Sequence, residues 1–363
     1  MRISVIGSVG VPSNYGGFET LVHNLVDYHH KTHSHHELFV YCSRPNYTSF
    51  PKNFLDANLE YLPIKANGVW SIPYDIWSIY KAISNGSDFL LILGTSGAIV
   101  FPLLRLLNFK KKIITNIDGL EWRRNKWNNF VRFYLKFCEF LAVKYSHVVI
   151  ADNEVVASYV NEKYREPPTV IAYGGDHVLE SQSKCPPDIS IPDHYAFCVC
   201  RIEPENNVDM ILEAFSRVPD RSLIVVGNWQ SSSYGRNLRE KYSSLDNLVF
   251  VDSIYDLGIL KYLRSNALIY MHGHSARGTN PSLVEAMHFA KPILAFDCDF
   301  NRATTEDSCI YFQDLKSLEK KLRELDLEKI KYIGTKMKEV ADRRYTWNLI
   351  ANQYFELFDS RSG

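Results

Sequence analysis

The sequence lacks most of the features that betray a function at a glance. No charge of one sign prevails: 41 Lys and Arg offset 41 Asp and Glu over 363 residues. Nucleic-acid binders usually show a basic excess or stripe, so no nucleic-acid partner is expected. The seven cysteines (Cys42, Cys138, Cys185, Cys198, Cys200, Cys298 and Cys309) are odd in number, scattered, and without a C-x-x-C pair. That argues against a disulfide framework and a zinc ribbon and leaves reduced thiols. A bilayer span needs ~20 apolar residues. The most apolar stretch, Asp88 to Arg105, is broken by Gly94, Thr95, Ser96, Gly97 and Pro102. It reads as a buried strand, a glycine turn and a short helix. The opening Arg2-Ile3-Ser4-Val5-Ile6-Gly7 is a strand running into a glycine loop, with no long apolar segment of a leader behind it. Internal repeats and low-complexity tracts are also missing.

What is present is ordinary globular material, 46% hydrophobic and 23% charged, at a length that suits two domains of ~150 residues. Short apolar runs predict strands near 3–7, 37–42, 88–93, 113–117, 147–151 and 169–172, then near 195–200, 222–227, 249–251, 268–271, 293–296 and 309–312. Continuous apolar strands alternating with helices indicate parallel sheets covered on both faces. The intervening helices carry stripes at helical spacing: Phe18, Leu21, Val22, Leu25 and Val26; Trp127, Val131, Tyr134, Cys138, Leu141 and Tyr145; Val208, Ile211, Leu212 and Phe215. A last helix from about Thr346 turns Trp347, Ile350, Tyr354, Leu357 and Phe358 to one face. The Ser- and Pro-rich segment Glu180 to Pro192 reads as a break. The expected organisation is α/β, with Rossmann-like domains at 1–180 and 193–345 and a terminal helix at 346–363.

Four segments carry chemistry. The first loop, Gly7 to Thr20, lacks the G-x-G-x-x-G spacing of a dinucleotide site. Its Gly16-Gly17 pair stands directly before a helix, where it permits either close backbone approach by an anion or simply a tight turn. The segment Tyr270 to Met287 ends a strand, passes a glycine-punctuated loop with Arg277 and Gly278, and starts a helix. Asn280 suits the N-cap and Pro281 the first helical position. N–H groups around Thr279 and Ser282 would face an anion. Glu285, one turn in, can accept hydrogen bonds from sugar hydroxyls or merely support the helix start. Arg201 ends the first strand of the second half, where a ligand crevice opens in parallel sheets. It can grip a diphosphate or pair with Glu203 or Glu205. After another strand, Asp118 sits where a crevice acid would, and Glu121, Arg123 and Arg124 can read a hydroxylated or charged acceptor or form a solvated charge run. Two patches look interfacial: Phe101 to Lys112, apolar with a lysine triplet, and Trp122 to Trp127. The first suits an anionic lipid surface. His29, His30, His33, His35 and His36 form a tract of a kind that can bind metal but read first as a solvated loop, with no catalytic role.

Taken together, these segments resemble the retaining family 4 glycosyltransferases of the GT-B fold. The carriers are Arg201-Ile202-Glu203-Pro204-Glu205-Asn206-Asn207, the string HGHSARGTNPSLVEAM from His272, Lys291-Pro292-Ile293, and the Tyr345-Thr346-Trp347 helix start. The strings VGVPSNYGGFETLV from Val9 and DGLEWRRNKW from Asp118 look like the bacterial rhamnosyltransferase subgroup of capsule and O-antigen synthesis. The resemblance implies two Rossmann-like domains facing across a cleft, the last helix returning to the first, and a dTDP-L-rhamnose donor. It also implies a lipid-linked saccharide acceptor and a cytoplasmic protein peripheral on the inner face of the plasma membrane. It implies Arg201, Thr279 and Ser282 at the diphosphate, Glu285 at the nucleoside sugar, Gly16-Gly17 closing on the phosphate, and Asp118 orienting the acceptor hydroxyl. No cofactor or metal is expected. Two departures stand out. A family lysine position holds Asn206, and the first of two family glutamates is Arg277, which can restore the missing positive charge. A nucleotide-sugar epimerase or dehydrogenase and a non-catalytic sugar-nucleotide binder remain the alternatives.

Overall fold

The computed structural model describes residues 1–13, 16–32, 34–107, 111–119, 122, 128–276 and 278–359. Two compact units form, one of Met1–Ala172 with Trp347–Gly363 and one of Tyr173–Thr346.

In the first unit the chain runs β1 (Arg2–Ile6), α1 (Gly17–Thr32), β2 (Glu37–Ser43), β3 (Asn53–Phe54), β4 (Ala57–Leu62), α2 (Ser71–Ser84), β5 (Phe89–Leu93), α3 (Phe101–Leu106), β6 (Lys112–Asn116), α4 (Asn129–Tyr145), β7 (Val148–Ala151), α5 (Glu154–Tyr164) and β8 (Thr169–Val170). The sheet order is β3-β4-β2-β1-β5-β6-β7-β8. All its pairings are parallel except β3 with β4. The central strand β5, FLLIL, is buried at every position, as a strand covered on both faces must be. Sequence patterning misses β3 and β4, because the alternately buried ANLEYL of β4 lacks a continuous apolar run.

The second unit contains β9 (Tyr195–Val199), α6 (Val208–Ser216), β10 (Ser222–Val226), α7 (Ser233–Tyr242), β11 (Leu248–Val251), α8 (Leu257–Asn266), β12 (Ile269–His272), α9 (Pro281–Met287), β13 (Ile293–Phe296), α10 (Asp299–Thr305), β14 (Ile310–Phe312), α11 (Leu315–Arg323) and α12 (Leu327–Arg344). Its six strands are ordered β11-β10-β9-β12-β13-β14 and are parallel throughout. Ile211, Leu212 and Phe215 of α6 pack with Trp229, Met271 and Phe312 in its core. The Ser- and Pro-rich stretch 180–192 belongs to this unit. It is tied there by Lys184 N–H donating to the Gly258 carbonyl (3.0 Å).

The last helix, α13 (Trp347–Asp359), belongs to the first unit. Its buried side chains are Trp347, Ile350, Ala351, Tyr354, Phe355 and Phe358, so Phe355 takes the inner place expected of Leu357. Phe355 lies 5.4 Å from Tyr28 of α1 and Phe358 meets Phe89 of β5 edge-on at 5.5 Å. The histidine tract is also not simply solvated. His29 and His36 are buried, His29 Nε2 lies 2.8 Å from the His36 carbonyl oxygen, and His36 Nε2 lies 2.9 Å from Asp359 Oδ1 at the end of α13. His29 lies on the inner stripe of α1, and Phe355 and Phe358 of α13 pack on His36, so these rings do not face water. Among the described residues no helix is long and apolar enough to cross a membrane.

Emptying the Phe358 pocket removes an aromatic side chain that is 1% exposed. Phe358→Ala is expected to cost about 3–5 kcal/mol, seen as an earlier urea transition of the first unit. A loss below about 1 kcal/mol would mean that α13 is not anchored by this ring.

Candidate active site

In parallel sheets, backbone groups and side chains free for ligand work gather at the carboxyl ends of the strands. In the second unit two such ends are latched together. Arg201 follows β9, and His272 ends β12. Between them Asn206 Nδ2 donates to the Arg201 carbonyl (2.7 Å), while Asn206 Oδ1 lies 2.7 Å from His274 Nδ1. Asn207 Nδ2 donates to the Gly273 carbonyl (2.8 Å), and Ser275 N–H donates to the Glu205 carbonyl (2.9 Å). A Cβ at Gly273 would stand 2.1 Å from the Asn206 carbonyl oxygen, so this close approach requires glycine. Asn206, at the family's lysine position, therefore carries no charge and is spent on holding the two loops in register. Arg201 is half-exposed, and its nearest acid, Glu203, is 3.9 Å away. A half-exposed pair that long contributes little, which leaves the guanidinium available to an anion.

The β12–α9 loop begins its helix as expected. Asn280 Oδ1 accepts from Ser282 N–H (3.0 Å) and from Ser282 Oγ (2.8 Å), with Pro281 first in the helix. The cap thus occupies one N–H group that the sequence assigned to a phosphate. Gly278 and Thr279 are buried.

Glu285 is not a lone carboxylate. Arg264, from the last turn of α8, donates Nη2 to Glu285 Oε2, and His177 Nε2 lies 3.7 Å from Oε1. The Arg264 side chain is 3% exposed. Its Nε and Nη1 are buried without a hydrogen-bond partner among the described residues. Burial lowers the His177 pKa, so its ring is held toward neutrality. Arg264 fixes one carboxylate oxygen and leaves the other on the His177 side. Nothing in an amphipathic helix such as α8 distinguishes Arg264 from a surface cation, so sequence reading passed over it. Neither did sequence reading single out His177.

In the first unit the loop after β1 is braced from below. Glu19 Oε1 accepts from Val9 N–H (2.8 Å), Ser13 N–H points to His23 Nδ1 (3.3 Å), and Tyr74 Oη donates to the Ser8 carbonyl (3.0 Å). Burial raises the Glu19 pKa. Gly16 has φ +128°, and a Cβ there would stand 1.9 Å from Glu19 Oε2. Only glycine suits that position, and Gly17 then opens α1. After β6, Asp118 adopts φ +57°, uncommon outside glycine. The conformation is held by Asp118 N–H donating to Asn116 Oδ1 (2.9 Å), while Asn116 Nδ2 donates to Tyr354 Oη of α13 (2.7 Å). Strained residues of this kind concentrate at functional sites. Asp75 of α2 is fully buried beneath the loop after β5. Its Oδ2 accepts from Ser96 Oγ, Oδ1 has no partner among the described residues, and burial raises its pKa to about 7. A single acid inside the apolar run Tyr74-Asp75-Ile76-Trp77 was the available signal for it.

Glu121, Arg123, Arg124 and Arg277 lie outside the described residues. An Asp-x-Asp, Asp297-Cys298-Asp299, a pattern that can hold a donor-bound metal, stands directly after β13. Asp297 is bound by Arg302 Nε (2.5 Å) and Nη2 (2.9 Å) and by Gln313 (2.9 Å). Its carboxyl is held below the usual range by Arg302 first and Gln313 second. The residue is thereby committed to a local ion pair. The described residues hold one group of three potential metal donors, His35, His36 and Asp359, at the end of α13.

Comparisons with known proteins divide the chain in the same way. Residues 1–176 match the family "Domain of unknown function (DUF1972)", and residues 187–339 match "Glycosyl transferases group 1". No curated protein matches. Among solved structures, sucrose-phosphate synthase from Thermosynechococcus elongatus superposes with TM-score 0.80 at 16% identity, over 99% of this chain and 98% of the other. A glycosyltransferase from Rickettsia africae ESF-5 gives 0.71 at 14%, over 100% and 99%. The pneumococcal O-GlcNAc transferase GtfA, in complex with UDP and GlcNAc, gives 0.55 at 13%, over 79% and 60%. At these identities the likeness shows the fold, which is the two-domain GT-B architecture.

Two outcomes follow from the buried charges. Glu285→Ala leaves the Arg264 guanidinium buried and unpaired, and is expected to destabilise the second unit by about 3 kcal/mol. Glu285→Gln, which keeps an acceptor, loses less, and equal melting of both variants would show the pair to be energetically idle. For Asp75, the folded protein keeps the proton to about pH 7 while the unfolded chain loses it near 3.8. The folded state binds more protons in that window, so stability falls as pH rises through it. Asp75→Asn cannot titrate. Between about pH 5 and about pH 8 its stability relative to the parent is expected to rise by about 2–3 kcal/mol in denaturant titrations. A pH-independent difference would place the carboxyl in water.

Proposed function

We propose, from the premise that the chain is a GT-B glycosyltransferase with a group 1 glycosyl transferase domain, that it transfers L-rhamnose from dTDP-L-rhamnose to a lipid-linked saccharide. The configuration at the anomeric carbon is retained. The product belongs to a capsule or O-antigen repeat, and the protein works peripherally at the cytoplasmic face of the plasma membrane.

The observation that carries this reading is the latch between the β9 and β12 loops. It ties the loop of Arg201 to the loop that leads into α9, and among the described residues the acid facing Arg201, Glu203, stands 3.9 Å off. In the proposed mechanism Arg201 and the backbone around Thr279 stabilise the leaving diphosphate as the glycosidic bond breaks, charge stabilisation being the main demand of such a step. Glu285, steadied by Arg264, accepts hydrogen bonds from the nucleoside sugar. The departing phosphate oxygen takes the proton of the acceptor hydroxyl, which Asp118 orients. No pair of carboxylates flanking the bond is needed, unlike in glycoside hydrolysis. The UDP bound by GtfA on a related fold supports a nucleoside diphosphate as ligand. The long strings VGVPSNYGGFETLV and DGLEWRRNKW support rhamnose. Asn206 and Arg277, at the positions of a family lysine and glutamate, favour a second reading in which the same fold takes another donor, a UDP- or GDP-sugar, or binds it without turnover.

Calorimetry discriminates among these. dTDP-rhamnose is expected to bind without added metal and equally in EDTA. Binding should weaken at least tenfold in Arg201→Ala and in Glu285→Gln, the glutamine keeping Arg264 partnered. Arg277→Ala should raise the donor KM steeply. Preference for a UDP- or GDP-sugar removes rhamnose but keeps the reaction class, and binding of none of these donors removes the assignment of the β12–α9 loop.

A further inference from the structure

Helix α4 carries an aromatic face that stands exposed among the described residues. Its inner side is built from Leu135, Cys138, Leu141 and Ala142. Phe130, Phe133, Phe137 and Phe140 follow at i, i+3, i+7 and i+10, an arc of less than a quarter turn. They are 78%, 72%, 42% and 38% exposed. α3, which packs against α4, adds Leu103 and Leu106, the latter 81% exposed. Single exposed apolar residues are ordinary on a surface, but four phenylalanines exposed along one helix arc mark a contact.

Charge selects the partner. The two helices and the strand between them contribute Arg105, Lys112, Arg132, Lys136 and Lys144. Their one acid, Glu139, is buried and bound by Trp122 Nε1 (2.8 Å), Tyr159 Oη (2.8 Å) and Lys163 Nζ (3.0 Å). The whole chain is neutral, 41 cations against 41 acids, so this excess is local and the remainder is net negative. Lys144 stands over the Phe140 ring at 5.6 Å and Lys136 over Trp122 at 5.0 Å. Long cationic side chains laid over aromatic rings let the rings enter an apolar layer while the ammonium groups stay at the headgroup level. A second copy of the chain seated on this face would oppose cations to cations, because a two-fold interface brings like surfaces together.

We propose that the α3–α4 face docks on an anionic bilayer, with the four phenylalanines of α4 as its insertion edge and the flanking lysines and arginines on the headgroups. This deepens the membrane part of the functional reading and rests on it only for its purpose, which is to bring the protein to a lipid-linked acceptor. The sequence pointed to the neighbouring segment Phe101 to Lys112. The α4 face lies outside that segment, because the sequence stripe of α4 was read as core.

The test is co-sedimentation of the full chain with vesicles of neutral phosphatidylcholine, with and without about 30% phosphatidylglycerol, containing no acceptor. The expected result is partitioning at least about tenfold stronger on the anionic vesicles, weakened by salt. Phe130→Ser/Phe133→Ser and Lys136→Glu/Lys144→Glu should each reduce it about tenfold without changing the melting temperature, since all four side chains are exposed. Absence of sedimentation with anionic vesicles overturns the proposal, as does undiminished binding by both variants. So does a lipid-free dimer that the phenylalanine variant dissolves while vesicle binding stays absent. The sedimentation reads no turnover, so with a separate transfer assay, vesicle binding without rhamnosyl transfer would sink the functional reading alone. Transfer to a water-soluble acceptor without vesicle binding would sink the docking alone.

Discussion

A parallel strand that is apolar on both faces exists only between two layers of helices. That constraint governs both units. Strands such as β5 of the first and β10 of the second have no solvent face, so every helix is drafted to cover them. The chain is then left with one kind of place for polar work, the loops at the carboxyl ends of the strands. Arg201, Asn206, His274, Asp118 and Gly16 all stand in such loops. The loops are not loose. Each is tied to a neighbour by a polar side chain: Asn206 between the β9 and β12 loops, Glu19 under the β1 loop, Asn116 between Asp118 and Tyr354.

Buried charge is the second theme. Removing a charge from water is costly unless it is paired or neutralised, and the molecule uses both routes. The second unit pairs Arg264 with Glu285. The first lets Asp75 keep its proton to about pH 7. His272 is handled in the same way as Asp75, its pKa lowered to about 3 by burial, so it is neutral in the folded protein. Glu285 therefore cannot be treated as a free acceptor waiting for a ligand. Its geometry is set by Arg264, and its removal has a stability cost that must be separated from any loss of binding.

Much of the architecture was legible in the sequence because parallel strands announce themselves as apolar runs. The strands from β5 to β14 fall where such runs occur, while β4 escaped because its residues alternate between partial and full burial. The Asn280-Pro281 start of α9 was legible because capping is a local matter of one side chain and one N–H group. Arg264, His177 and Asp75 were not. Their importance comes from elements distant in sequence meeting in space, and periodicity carries no information about that. The histidine tract misled for a related reason: polar composition suggested water, whereas α13, more than 300 residues later, supplies the rings that bury His36.

The central claim is that the carboxyl-end loops of the second unit hold a nucleoside diphosphate through Arg201 and Glu285. A crystal structure of the protein with dTDP tests it most directly. The account predicts the diphosphate on the Arg201 guanidinium near Thr279, and the deoxyribose hydroxyl on the Glu285 carboxylate with Arg264 still behind it. A nucleotide bound elsewhere, or one at these loops with Glu285 turned wholly to Arg264 and His177, would contradict it.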